Sequence, residues 1–305
     1  MIIMADTHTI EFWPYVRGFK PEEAKLYYLD RTFYLQDQFL QRLDLEKDAK
    51  YAWRNALKNN PNMKNNIISV IRRIENGGKR ITVERSEYSI YYWIKTELSY
   101  KNEPIQEKVA NRFPFATIMS IITTADGFLI LKKRPANVPA ETMILPYPYS
   151  HIDENQQTLA DIVNLQFKNE LGFDIYDKNR INNIESIGMA RESDEYTPAI
   201  VFHADTKMSS DEIKPVKNTK EIKRIQYNLK NQLIDRIAGM YTPTVKIPDK
   251  ENKLVPNGTT SLALFVREFY GEKSYERLIT KLTESAKGFN VNLKTVDYNS
   301  SNSPF

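Results

Sequence analysis

The side chains best placed for chemistry lie on one predicted helix. Apolar residues recur at helical spacing over 158–171, with Thr158 as the N-cap candidate and Gly172 as the helix stop. On a helical wheel, Gln166 and Glu170 fall within the apolar face, near its C-terminal end. Two polar groups one turn apart therefore interrupt a face that is otherwise suited to burial.

These polar groups need partners. Burying an unpaired amide costs about 1–3 kcal/mol, and burying an unpaired carboxylate costs more. Either Gln166 and Glu170 hydrogen-bond to each other at the rim of the core, or they face a wet or ligand-filled cavity. Asn169 lies at the edge of the same face. The helical pattern alone leaves both alternatives open.

A β-hairpin is predicted before this helix. Residues 115–123 and 128–131 have strand patterns, and Ala125-Asp126-Gly127 between them is a strong turn signal. The second strand ends in Lys132-Lys133-Arg134, and a proline-rich segment then leads to His151. The order is thus hairpin, irregular segment, helix.

The first hundred residues mix both types of secondary structure. The pattern predicts helices over 46–57 and 63–74, the second of which is stopped by a glycine pair. Extended segments are predicted over 80–85 and 89–98, because aromatic residues in the latter favour strands. The fold class is therefore α+β.

The length of 305 residues suggests two domains. The polar stretch 100–112 is the predicted boundary. It divides the chain into an N-terminal α/β region, 1–108, and a second domain, 109–298, that ends in helices. The polar segment 299–305 is predicted to be a disordered tail.

Composition excludes several kinds of active site. The chain has no cysteine and three histidines, so thiolate nucleophiles, zinc–thiolate sites and iron–sulfur clusters are ruled out. There are ten glycines, and neither GxGxxG nor GxxxxGK[ST] occurs, which speaks against Rossmann and P-loop nucleotide sites. Carboxylates remain for metal or acid–base chemistry. The net charge of +4 permits a small anionic ligand but gives no argument for nucleic acid.

The sequence also carries no membrane or export signal. The N-terminus lacks the basic region of a signal peptide, and no apolar run approaches the roughly 18 residues of a transmembrane helix. A cytoplasmic location without membrane association is therefore expected.

The order of elements and the end of the helix resemble the Nudix superfamily. With the end of the Nudix box anchored on Gly172 and Phe173, its Glu-Glu pair falls on Asn169-Glu170 and its Arg-Glu pair on Leu165-Gln166. The opening glycine of the box falls on His151, or on Ser150 if one residue is inserted. The resemblance implies an α/β/α sandwich packed against the N-terminal region.

The flanking segments resemble the UDP-sugar-hydrolysing branch of that family. Residues 123–129 and then Pro148-Tyr149-Ser150-His151 match the approach to the box, although Tyr149-Ser150 replace a glycine pair. Together with upstream and downstream segments, the resemblance spans roughly residues 50 to 270. It implies a nucleoside diphosphate linked to a second group as ligand, with a UDP-sugar as the first candidate.

The resemblance also implies roles for individual residues. In a working Nudix site, helix carboxylates hold Mg²⁺ or Mn²⁺ against a diphosphate, and here Glu170 is the one box carboxylate that remains. It is the predicted catalytic residue and metal ligand, with Glu154 as a second metal ligand. Gln166 and Asn169 replace metal-binding carboxylates with amides, whose NH₂ groups suit a phosphate oxygen.

Two basic residues complete the predicted site. The resemblance puts Arg134 near the mouth of the pocket, facing phosphate, while the alternative is the solvated end of a basic run. His151 either contacts a phosphate or ribose or lies on the loop surface.

Three functions are compatible with the replacement of box carboxylates by amides. The first is a pseudoenzyme that binds a nucleotide-type ligand without cleaving it. The second is a Mg²⁺- or Mn²⁺-dependent Nudix pyrophosphohydrolase with a rearranged site. The third is a regulatory or interaction scaffold without a ligand. The predicted partner is a small nucleotide-type molecule, with a homodimer left open and neither membrane nor nucleic acid expected.

Overall fold

A computed structural model of the chain describes residues 7–29, 45–94, 114–133, 144–152, 157–192, 197–216, 221–241, 253–285 and 290–295. The strands in these residues are β1 Thr7–Arg17, β2 Lys25–Leu29, β3 Ile67–Glu75, β4 Arg80–Glu87, β5 Thr117–Thr123, β6 Phe128–Lys133, β7 Ile144–Pro146, β8 Tyr149–His151, β9 Ile181–Glu192, β10 Ala199–Thr206, β11 Ile222–Gln226 and β12 Asn290–Thr295. The helices are α1 Leu45–Asn59, α2 Tyr88–Trp93, α3 Leu159–Leu171, α4 Lys230–Met240, α5 Pro256–Tyr270 and α6 Glu272–Ser285.

The main sheet is mixed and runs in the order β11-β6-β5-β10-β9-β1-β12. Strand β5 is parallel to β10, and β1 is parallel to β12, while the other neighbours along this path are antiparallel. Strand β7 pairs with the C-terminal part of β6, and strand β8 pairs with the N-terminal part of β5. Of the chain between the hairpin and α3, the described strands β7 and β8 therefore lie within the sheet.

Helices cover both faces of this sheet. On one face, α3 buries its apolar side chains against residues such as Ile130 and Ile200. On the other face, α4, α5 and α6 bury theirs against residues such as Leu129, Leu131 and Val201. Residues 129 to 131 alternate between the two cores because successive side chains of a strand point to opposite faces. The prediction of an α+β fold with an α/β/α sandwich is confirmed.

The N-terminal stretch contributes to two sheets. Strand β1 lies inside the main sheet, between β9 and β12, whereas β2, β4 and β3 form a separate three-stranded sheet. Backbone hydrogen bonds tie this small sheet to the rest: Ile71 N donates to Pro114 O at 3.0 Å, and Leu26 N donates to Gln157 O at 2.9 Å. The predicted boundary at 108 and the tail from 299 lie outside the described residues.

Two predictions in the N-terminal stretch are wrong. The helix expected over 63–74 is instead strand β3, whose many Ile and Val residues pair with β4. Part of the extended segment expected over 89–98 is instead helix α2, and 95–98 lie outside the described residues. The aromatic residues of α2 recur at helical spacing, and the ring of Trp53 on α1 contacts two of them, Tyr88 and Tyr92.

Within the described part of the chain, none of the helices is long and apolar enough to cross a bilayer.

Candidate functional site

Helix α3 begins and ends as its sequence predicts. Thr158 Oγ1 accepts a hydrogen bond from Asp161 N at 3.3 Å, and Asp161 Oδ2 accepts one from Thr158 N at 2.9 Å, which makes a reciprocal capping box. At the other end Gly172 has a φ of 76°, in the left-handed region that glycine adopts without strain. These two ends set the register of every side chain on the helix.

Thr158→Ala is expected to lower the free energy of unfolding by about 1 kcal/mol, because Asp161 N loses its side-chain acceptor at the start of the helix. Urea denaturation followed by circular dichroism measures this loss. Thr280→Ala on α6 is the matched control, since Thr280 Oγ1 only donates to the carbonyl of Glu276 within the helix. Equal effects of both substitutions would contradict the capping role of Thr158.

The polar interruption of the apolar face is present in the structure. Gln166 and Glu170 are half-buried, whereas Asn169 is exposed. The other inward positions of the helix are buried, namely Leu159, Ala160, Ile162, Val163, Phe167 and Leu171. Among the hydrogen bonds of the described residues, none joins Gln166 to Glu170. Of the two alternatives left open by the helical pattern, the mutual pair is therefore not formed.

Glu170 is instead bound by a tyrosine from the segment before the helix. The hydroxyl of Tyr147 donates to Glu170 Oε2 at 2.5 Å and lies 2.9 Å from the backbone oxygen of Glu170. Burial, together with the hydrogen bond to this carboxylate, raises the pKa of Tyr147 far above its usual value. Tyr147 therefore remains a protonated donor to Glu170 throughout the neutral range.

A lysine from β6 completes this cluster. Lys132 Nζ lies 3.7 Å from Glu170 Oε2 and 4.9 Å from the centre of the Tyr147 ring. The side chains of Lys132 and Glu170 are only 15% and 21% exposed, so solvent screens their attraction weakly. Because Ile130 faces the α3 core, the alternation of the strand directs Lys132 to the same side. We call Lys132, Tyr147 and Glu170 the lysine–tyrosine–glutamate cluster.

The remaining predicted site residues are less completely described. His151 is the last residue of β8, opposite Thr117 on β5. Arg134 and Glu154 lie outside the described residues. The structure thus brings Gln166 and Glu170 together on one side of α3, while the contributions of Arg134, His151 and Glu154 stay predictions.

The described side chains do not fit a divalent metal ion at Glu170. Mg²⁺ and Mn²⁺ require several oxygen ligands, commonly carboxylates. In the described part of the chain no three acidic or histidine side chains are grouped closely enough to hold a metal ion. Glu170 itself is engaged by the Tyr147 hydroxyl and faces the ammonium of Lys132.

Two members of the cluster were missed by sequence reasoning. Lys132 was considered only as part of a basic run, although its two-residue spacing from Ile130 predicts the same strand face. Tyr147, between Pro146 and Pro148, carries no comparable periodic signal. A buried tyrosine usually finds a hydrogen-bond partner, but which partner depends on the path of the irregular segment.

A second polar cluster lies on the opposite face of the sheet. His203 Nε2 and Thr123 Oγ1 share a hydrogen bond of 2.8 Å, and the His203 ring contacts Phe265 and Phe269 of α5. Burial lowers the pKa of His203 to about 4, despite the opposing attraction of Asp205. His203 is therefore neutral at pH 7 and belongs to the core rather than to an acid–base site.

No protein-family model matches the chain, and no curated protein matches it. Solved structures overlap with it in part, among them the following three. The DR0079 protein of Deinococcus radiodurans is 11% identical with a TM-score of 0.31, and the match covers 41% of this chain and 73% of that one. The C-terminal domain of mouse MUTYH, solved with human PCNA, is 6% identical with a TM-score of 0.32 and respective coverages of 52% and 90%.

The third structure is a bifunctional NMN adenylyltransferase/ADP ribose pyrophosphatase from Francisella tularensis. It is 13% identical to this chain with a TM-score of 0.33, and the match covers 59% of this chain and 51% of that one. Similarities this weak assign neither a family nor an activity. The fold, a mixed sheet between helical layers, is established by the strand pairing within this chain.

Proposed function

We propose that the chain binds a nucleoside diphosphate linked to a second group, with a UDP-sugar as the first candidate, and hydrolyses it little or not at all. The binding site is the side of α3 that carries Gln166 and Glu170. The main support for this proposal is Gln166. Its side chain is half-buried, yet none of the hydrogen bonds among the described residues involves its amide.

A ligand on this side of α3 gives that amide a partner. The Gln166 NH₂ group donates to a phosphate oxygen, and the exposed Asn169 amide, three residues later, extends the donor surface. The Lys132 ammonium adds positive charge nearby. A diphosphate is the anionic group that such a set of donors suits, and the Nudix resemblance of the flanking sequence suggests the nucleoside and the sugar.

Weak or absent hydrolysis follows from the charge of the site. A metal-dependent pyrophosphohydrolase needs carboxylates that hold cations against the diphosphate and activate water. The residues at 166 and 169 are neutral amides, and the carboxylate at 170 is engaged by Tyr147. The described residues thus retain donors for phosphate binding but lack a ligand set for metal.

Titration calorimetry with UDP-glucose, ADP-ribose and NAD tests the proposal. UDP-glucose is expected to bind, and Gln166→Ala is expected to weaken it about tenfold, because an amide–phosphate hydrogen bond with a charged acceptor is lost. Gln232→Ala on α4, an exposed glutamine of the opposite helical layer, is the matched control and leaves the affinity unchanged.

The same samples distinguish the alternatives. Binding of none of the three compounds would refute the proposal and favour a scaffold. Release of UMP that requires Mg²⁺ or Mn²⁺ and is lost in Glu170→Gln would instead establish a hydrolase.

A further inference from the structure

The lysine–tyrosine–glutamate cluster contains its own cation. Lys132 Nζ lies 3.7 Å from Glu170 Oε2, and both side chains are mostly buried. The aromatic ring of Tyr147 lies 4.9 Å from the same nitrogen, an arrangement that further favours the charged ammonium. Among the described residues, the Lys132 ammonium therefore already balances the Glu170 carboxylate.

A second cation would be repelled from this position. A divalent metal at Glu170 would stand within a few ångströms of the ammonium, in surroundings that screen charge poorly. It would also have to displace the Tyr147 hydroxyl, which donates to the same oxygen at 2.5 Å. The structure thus disagrees with the divalent-metal chemistry that the Nudix resemblance implies for Glu170.

We propose that the Lys132 ammonium takes over the charge that a divalent metal supplies to a diphosphate, so that the site binds its phosphate ligand without metal. The inference rests on the proposed function for its ligand, but the exclusion of metal from Glu170 stands independently of it. Tyr147 and Glu170 act as positioning residues: Glu170 holds the ammonium by charge, and Tyr147 holds Glu170. Lys132 is the binding residue.

The neighbouring lysine is a natural control. Lys133 follows Lys132 on β6, and its Nζ lies 3.5 Å from Glu221 Oε2. Its side chain is 20% exposed, close to the 15% of Lys132, so the two lysines differ in partner more than in burial. Replacing each by methionine removes one charge from the same strand and keeps most of the aliphatic length.

The first experiment needs no nucleotide. Mn²⁺ binding to the full chain is measured by electron paramagnetic resonance for the wild type, Lys132→Met and Lys133→Met. The wild type and Lys133→Met are expected to bind no Mn²⁺ through Glu170, and any Mn²⁺ binding that Lys132→Met gains is expected to disappear in the double variant Lys132→Met/Glu170→Gln. Wild-type Mn²⁺ binding that Glu170→Gln abolishes would overturn the inference, whatever ligand the protein takes.

The second experiment measures UDP-glucose affinity in EDTA and in Mg²⁺. The wild type is expected to bind equally in both, and Lys132→Met to lose about tenfold in EDTA, while Lys133→Met stays within about twofold of the wild type. If Lys132→Met does not fold, the EDTA comparison on the wild type decides the matter. Wild-type affinity that falls about tenfold or more without Mg²⁺ would overturn the inference. Failure to bind UDP-glucose in either buffer would instead refute the proposed function, and the Mn²⁺ experiment would then remain the test of metal exclusion.

Discussion

Arg191→Met is expected to lower the free energy of unfolding by about 3–5 kcal/mol, because it leaves the carboxylate of Glu11 buried without its guanidinium partner. Glu11 on β1 lies directly opposite Arg191 on β9. Arg191 Nε donates to Glu11 Oε2 at 2.9 Å, Arg191 Nη2 makes a second contact with the same oxygen, and the guanidinium lies 5.8 Å from the ring centre of Trp13. The two side chains are 9% and 11% exposed, so water compensates little for the lost partner.

Urea denaturation measures the loss of stability. The control is an exposed ion pair between β1 and α5. Arg17 on β1 pairs with Glu268 at 3.3 Å, but these side chains are 54% and 41% exposed. Arg17→Met should therefore cost only about 0–1 kcal/mol. The double variant Glu11→Met/Arg191→Met should recover much of the loss, since it removes both charges. A loss in Arg191→Met no larger than that in Arg17→Met would show that the buried charge is not the cause.

Acidification from pH 6.5 to pH 4 is expected to destabilise the protein by about 3 kcal/mol through His203 alone. Burial lowers the pKa of His203 from 6.5 to about 4 in the folded chain. Below pH 6.5 the unfolded chain takes up a proton at this histidine while the folded chain does not, so stability falls as the pH falls through this window. Above about pH 7.5 the histidine is neutral in both states and its contribution no longer changes.

The measurement is the free energy of unfolding of the wild type and His203→Gln at several pH values between 4 and 8. A glutamine side chain at this position does not titrate, but its amide can still hydrogen-bond to Thr123. The variant is expected to be less stable than the wild type at pH 8 and to have a flatter profile between pH 6.5 and pH 4. Parallel profiles would mean that another group causes the acid sensitivity.

Local sequence signals predicted several elements of the main sheet and of helix α3. The ends of α3 follow from Thr158, Asp161 and Gly172, which act within a few residues of one another. The β5–β6 hairpin follows from its turn, whereas the α/β/α layering was expected only from the resemblance of the order of elements to a known family. The wrong predictions, β3 and α2, lie where short apolar or aromatic runs suit either structure, and pairing with β4 and contact with α1 decide between them.

For the candidate site, the sequence by itself determined which residues interrupt the apolar face of α3 and that positions 166 and 169 carry amides rather than carboxylates. Only the tertiary structure decided what Glu170 contacts. Tyr147 lies between β7 and β8 and Lys132 lies on β6, and both reach Glu170 because β7 pairs with β6 and β8 pairs with β5. Helical periodicity acts over a few residues, whereas a charge pair between a strand and a helix depends on how the chain returns to the sheet.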